Sequence, residues 1–250
     1  LRNSWFEVSG VRLPRALLGT SPFIGAGQFG PRASAYLATF YGRPERVADI
    51  ISACAEMGVM GIQPLPYGFI LEAIRRAQEE LGVEFVLVGT IGPEDPLGDL
   101  ELYDGLGLRA ALTHGALTDS ASGHELAAIL NAVRDEGLLA GYITHRPMSC
   151  LRRLEAGELP RPDLLMLPFN KMGYLMDAPP GEVAGALRRL GVPAVGKKVL
   201  AAGRLRPGEA VRFALGFHVL SGLAVGIASR EEARETLSAL APIITGARWP

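Results

Sequence analysis

Lysine is nearly missing from this chain. Of 250 residues only Lys171, Lys197 and Lys198 are lysines, and arginine supplies the rest of the positive charge. Cysteine is scarcer still, with Cys54 and Cys150 alone. Two thiols are too few for a disulfide framework and fit a reducing compartment. Neither sign of charge dominates. The 25 basic and 26 acidic residues leave a formal net charge of −1, which provides no basic footprint for nucleic acid. No apolar run reaches the roughly 18 residues of a membrane span. The opening residues, LRNSWFEVSGVRLP, lack the apolar core of a signal peptide. These absences predict a cytoplasmic protein with neither a nucleic-acid nor a membrane partner. Against them, hydrophobic residues make up 48% and charged residues only 20%, which excludes a disordered chain and allows a large core. Glycine (31) and proline (18) are plentiful and gather at junctions, where they act as punctuation.

Between those junctions the pattern is strand then helix, repeated. Short apolar runs at 16–18, 59–65, 83–90, 108–114, 138–144, 164–169, 192–199 and 220–226 read as strands. Helical spacing follows at 45–57, 69–81, 123–136, 148–156, 180–190, 207–215 and 230–240, with a short turn near 97–103. Pro44, Pro180 and Pro207 stand where helices begin, and Gly58, Gly82 and Gly191 where they end. Ser122 is a candidate N-cap, and Ser229 with Glu232 forms a candidate capping box. The strands do not alternate in polarity, as expected when both faces are buried. Eight such units predict a closed (β/α)8 TIM barrel over residues 1–250 as a single domain, with a long loop at 23–42 after the first strand. The early glycines, GAGQFG, lie in that loop and do not match a dinucleotide fingerprint directly after a strand.

Chemistry in such a barrel sits at the C-terminal ends of its strands. Two of the four histidines, His114 and His145, end neighbouring predicted strands, and all three lysines fall at the ends of the sixth and seventh. An imidazole with a reference pKa near 6.5 suits proton transfer at neutral pH. Lys198 suits an anion clamp or a Schiff-base amine. Alternation along a strand points Lys198 into the mouth and Lys197 outward among the helices. Gln63, Thr90, Asn170 and Lys171 are candidate substrate contacts. The turn Gly226-Ile227-Ala228-Ser229 presents amides ahead of a helix N-terminus, where a cofactor phosphate can bind. Two histidines without a third ligand give no metal site. The aromatics of the first loop, among them Phe23, Phe29, Tyr36, Phe40 and Tyr41, suit a pocket cover or a homo-oligomer contact.

These residues resemble the aldo-keto reductase family, (β/α)8 barrels that reduce carbonyls with NADPH. The family's second strand leads into Asp-Thr-Ala-x-x-Tyr-Gly, and here the matching stretch is Gln63-Pro64-Leu65-Pro66-Tyr67-Gly68. The resemblance implies that Tyr67 is the catalytic acid, with Gln63 in place of the family's Asp. Leu112-Thr113-His114 matches its fourth strand, and Gly226-Ile227-Ala228-Ser229-Arg230-Glu231-Glu232 its cofactor segment. Val88-Gly89-Thr90-Ile91-Gly92 has no lysine where the family has one. Replacing Asp and Lys by Gln63 and Thr90 removes both charges that tune the tyrosine. Three expectations follow. The first is a divergent carbonyl oxidoreductase using NADPH on a small anionic carbonyl compound, with Tyr67, His114, His145 and Lys198 as its site. The second is a cofactor-free lyase, aldolase or isomerase that uses Lys198 on a phosphorylated carbonyl compound. The third is a barrel without chemistry that serves as a binding module.

Overall fold

The computed structural model describes residues 1–246. The chain opens with a hairpin, β1 (Trp5–Val8) and β2 (Val11–Pro14), paired antiparallel. Ser9 and Gly10 link them with φ of 48° and 82°. Two positive φ values define the primed two-residue turn whose twist matches that of the strands. Eight further strands form the barrel: β3 (Ala16–Gly19), β4 (Gly61–Gln63), β5 (Val86–Ile91), β6 (Leu108–Thr113), β7 (Leu139–Ile143), β8 (Leu164–Pro168), β9 (Ala194–Lys197) and β10 (Gly222–Gly226). Each pairs in parallel with the next, and β10 closes the ring by pairing with both β9 and β3. Closure removes every strand edge.

The helices pack outside. They are α1 (Arg32–Phe40), α2 (Pro44–Glu56), α3 (Gly68–Leu81), α4 (Gly98–Glu101), α5 (Gly115–Ser120), α6 (Gly123–Asp135), α7 (Pro147–Glu155), α8 (Pro180–Leu190), α9 (Pro207–Gly216) and α10 (Arg230–Ile244). Proline begins α2, α7, α8 and α9, where its missing N–H costs nothing. Ser122 and Glu125 form a reciprocal capping box on α6.

The core has two layers. One lies between strands and helices and includes Ile51, Ile70, Ile74, Leu126, Leu187 and Leu237. The other fills the barrel interior with Leu17, Val88, Leu112, Leu164 and Met166, joined by Val8 and Leu13 of the hairpin. The hairpin is therefore a stopper for the N-terminal end of the barrel. The strand ends that carry polar residues are at the opposite end.

The predicted loop at 23–42 is mostly helical. Two 3-10 turns, Ser21–Ile24 and Gly27–Phe29, precede α1. Phe23 and Phe40 are buried with ring centroids 5.1 Å apart, and Phe29 meets Tyr36 edge-on at 5.2 Å. Burying each phenylalanine contributes about 1.5–3 kcal/mol. These rings are engaged with one another within the chain, and Phe29 and Tyr36 line a cavity at the strand ends. Tyr41 alone of the group is 53% exposed as a large hydrophobic. Among the described residues, no helix is long and apolar enough to cross a membrane. Cys54 and Cys150 are buried free thiols, each pushed up to about 12 by burial.

Candidate active site

A cavity of about 800 Å³ opens at the C-terminal ends of the strands. Gly19, Gln63, Thr90, His114, His145 and Gly226 line it from six different strand ends. Its two sides differ in chemistry.

The side at β4 and β5 is neutral. Gln63, 7% exposed, donates through Nε2 to Thr90 Oγ1 at 2.6 Å. Behind it Tyr103 donates its hydroxyl to the Thr90 carbonyl at 2.8 Å. Burial pushes the Tyr103 phenol up, so it remains a hydrogen-bond donor.

The side at β6, β7 and β9 is charged. His114 caps α5, and its Nδ1 accepts from the Ala116 N–H at 3.2 Å. That bond leaves the ring proton on Nε2 in the neutral form. His145 follows β7, and its N–H donates to Asp119 Oδ2 at 2.9 Å. Thr144 donates its hydroxyl to the other oxygen of the same carboxylate. The two imidazoles sit edge-to-face with centroids 5.4 Å apart. Nζ of Lys197 lies 3.5 Å and Nζ of Lys198 3.4 Å from the same atom, His145 Nδ1.

Both lysines therefore face the cavity, which corrects the expectation that Lys197 points outward. Alternation holds only while the strand continues, and β9 ends at Lys197. Lys198 has a φ of 55°, in the left-handed region that side chains with a Cβ rarely adopt. That turn brings the second amine back to the same side. It belongs to a group of positive-φ residues after β9 that includes Ala201 and Ala202.

Burial, and then the Lys197 and Lys198 charges, push His145 down to about 3. His114 is lowered by burial and then by Lys197, against the opposing Asp119 charge. Both rings are neutral at pH 7. Burial brings Lys198 down to about 8, with Asp119 opposing. Burial, and then Lys198, hold Lys197 well below the ordinary amine range.

Six predicted site residues do not line the cavity: Tyr67, Asn170, Lys171 and, after β10, Ile227, Ala228 and Ser229. Tyr67 is 38% exposed and does not line the cavity; it packs with Tyr41 and Phe69 at centroid distances of 6.4 and 6.0 Å. The reductase pattern spaces its acid and tyrosine five positions apart, whereas Gln63 and Tyr67 are four apart and separated by Pro64 and Pro66. Tyr67 instead holds the extended N-cap position of α3. Asn170, fully buried, donates to the Tyr174 carbonyl at 2.9 Å and accepts from its N–H at 2.8 Å, so its amide is engaged in fixing a loop. Lys171 is exposed and pairs with Glu209 at 2.7 Å.

The turn after β10 is also occupied. Gly226 lines the cavity, but a Cβ there would meet Pro22 Cγ at 2.9 Å. Ala228 donates its N–H to Glu232 Oε2 at 2.8 Å, Ser229 Oγ accepts from the Glu232 N–H at 3.1 Å, and Tyr36 donates to Glu232 Oε1 at 3.3 Å. Ile227 is buried. The capping box is thus displaced by one residue, with the carboxylate bonded to the amide before the cap. A negative charge sits on the Ala228 amide expected to face a phosphate, so the residues present do not fit a nucleotide phosphate at this turn.

Sequence reasoning missed Asp119, on the six-residue α5, and the arginines Arg32, Arg204 and Arg206 that line the cavity. Arg204 lies over the Tyr174 ring at 4.1 Å. Counting onward from Lys198 along the seventh loop would have reached Arg204 and Arg206. Nothing local in the sequence marks Asp119. Among the described residues, no three His, Cys, Asp or Glu side chains gather as a metal site.

No family model and no curated protein sequence matches this chain. Solved structures do. A protein from Pseudomonas aeruginosa, provisionally described as an aldo-keto reductase, superposes with a TM-score of 0.71 at 18% identity, over 98% of this chain and 96% of that one. The barrel has the aldo-keto reductase fold. An aldo/keto reductase from Brucella melitensis gives 0.62 at 14% identity, over 96% of this chain and 98% of that one. The metagenomic aldo-keto reductase MGS-M4 gives 0.64 at 13%, over 98% and 97%. The aldo-keto reductase fold here carries a neutral Gln63–Thr90 pair on one side of its mouth and two amines on the other.

Proposed function

We propose that this chain is an enzyme acting on small anionic carbonyl compounds, by forming an imine with a lysine at the end of β9. One observation carries the reading: two lysine amines converge on a single nitrogen of a neutral imidazole inside a large cavity. An amine attacks a carbonyl carbon only in its free-base form, and burial beside a second cation favours that form. Neutral His145 Nδ1 accepts a hydrogen bond from the amines and does not take their proton. His114, with its ring proton on Nε2, is a neutral donor for the carbonyl oxygen. Lys198, Arg204 and Arg206 all line this cavity, and their charges favour an anionic substrate.

The reductase reading is less well supported. Tyr67 is outside the cavity, and Glu232 is bonded at the turn expected to hold a phosphate. Two buried free thiols accord with a reducing, cytoplasmic location.

The test is to incubate the protein with small aldehydes and 2-oxo acids, add borohydride, and measure intact mass. Imine chemistry predicts a stable single adduct that appears only when carbonyl compound and borohydride are both present. A protein that binds NADPH tightly by fluorescence and gives no adduct would return the reading to the reductase.

A further inference from the structure

Resting on that reading, the geometry points to a division of labour between the two lysines: Lys197 forms the imine, Lys198 holds a carboxylate attached to the reacting carbonyl, and the substrate class is therefore the 2-oxo acids. Lys171 and Glu209 show the ordinary state of a lysine here, exposed and paired at 2.7 Å. Neither Lys197 nor Lys198 has a carboxylate within ion-pair distance among the described residues. Two partly enclosed amines without counter-ions are costly if both stay charged. The cost is relieved when one amine is neutral and the other meets an anion supplied by the ligand.

Backbone geometry assigns the roles. Lys197 is the last residue of β9, in register with Pro168, and its carbonyl accepts from the Phe169 N–H at 3.0 Å. It is fixed in the barrel wall, as a nucleophile needs to be for a reproducible attack geometry. Lys198 has left the strand with a left-handed backbone, and it lines the same cavity as Arg204 and Arg206. Because both Nζ atoms are within 3.5 Å of His145 Nδ1, the anion held by Lys198 must be close to the carbon attacked by Lys197. A carboxylate bonded directly to the carbonyl carbon satisfies that proximity. A phosphate several bonds away does not, and it would have to reach the arginines instead.

The step balances without a redox partner. The Lys197 lone pair forms the C–N bond while the carbonyl π pair moves to oxygen. The new ammonium passes one proton to that oxygen through solvent while neutral His114 Nε2–H hydrogen-bonds to it, which gives the carbinolamine. Loss of water then gives the imine. Nothing is oxidised or reduced until borohydride supplies a hydride in the assay.

The experiment uses the full chain, glyoxylate and acetaldehyde at equal concentration, and cyanoborohydride. Rates are normalised to those of N-acetyl-lysine, and peptide mapping locates the adduct. With three lysines in the chain, the exposed Lys171 is an internal control. The expected result is an adduct at Lys197, with glyoxylate favoured over acetaldehyde by about tenfold, equivalent to about 1.4 kcal/mol. In Lys198→Met that preference falls to near one. An adduct on Lys198, or equal normalised rates in the unaltered protein, overturns the assignment while leaving imine chemistry intact. No adduct with either aldehyde overturns both. Site and preference are read in the unaltered protein, so the test does not depend on K198M folding.

Discussion

The two sides of the barrel mouth handle buried polarity in opposite ways. At β4 and β5 Gln63 and Thr90 satisfy each other at 2.6 Å and carry no charge. At β7 and β9, Lys197 and Lys198 crowd one imidazole with no carboxylate within ion-pair distance among the described residues. A closed hydrogen-bond pair stabilises the fold and leaves little for a ligand to gain. An open cluster of donors costs stability and leaves binding energy available to an anion. The difference is the ground for proposing the chemistry on the β9 side, away from the side where the reductase pattern has its acid, lysine and tyrosine.

The sharpest way to break this contrast is Lys197→Met. Removing the amine while keeping an apolar stem should lower the borohydride-trapping rate by about a hundredfold, or about 2.7 kcal/mol. An unaltered rate would move the nucleophile elsewhere. A pH series comes next. Lys198 keeps its charge below about 8 and loses it above. The normalised preference for glyoxylate over acetaldehyde should therefore be full near pH 7 and fall severalfold by pH 9. A flat preference across that range would remove Lys198 as the anion's partner.

The neutral side gives a stability effect. In Thr90→Val the Gln63 amide loses its 2.6 Å acceptor in a buried place. Urea denaturation should show a loss of about 1–3 kcal/mol, with an unchanged dependence on denaturant. A neutral result would mean that Gln63 finds another partner, such as the Pro64 carbonyl already 3.5 Å away.

The same contrast explains what could be read from sequence. The eight barrel strands were legible because each is a short apolar run bounded by glycine or proline. Observed β8, at Leu164–Pro168, differs from the predicted run by one residue. The β1–β2 hairpin was not read from the sequence, because its four-residue strands offer too little alternation to stand out. Strand-end position brought His114, His145 and Lys198 forward as candidates, and the structure gathers all three around one cavity. Position failed for Asn170 and Lys171, because a strand end says nothing of which partner a side chain will find. Tyr174 and Glu209 reached them first. Period-two reasoning failed at Lys197–Lys198 because one left-handed residue cancels it, and no glycine or asparagine announced that conformation.

The smallest expected effect concerns acid stability and tests whether the charged side is held at a cost. His145 is pushed from 6.5 down to about 3 in the folded chain, first by burial and then by the lysines. Between those values the unfolded chain binds a proton at this residue that the folded chain does not. Stability therefore falls as pH drops from about 6.5 toward 3, and the contribution is fully present only above 6.5. His114, also lowered, adds in the same direction. Carboxylates such as Asp177, lowered by its bonds to Ser149 and Met148, act toward the lower end of that window. His145→Asn removes the imidazole, so its chemical denaturation midpoint should decline less between pH 6.5 and 5 than that of the unaltered protein. Above pH 7 the ordinary protein already has a neutral ring there, and the variant registers mainly lost packing against His114 and the lysines. A midpoint that declines equally in both proteins would show that the ring can accept a proton in place. The lysines could not then both be as close to His145 Nδ1 in solution as they are here, and the argument for a crowded, unpaired β9 side would fail with it.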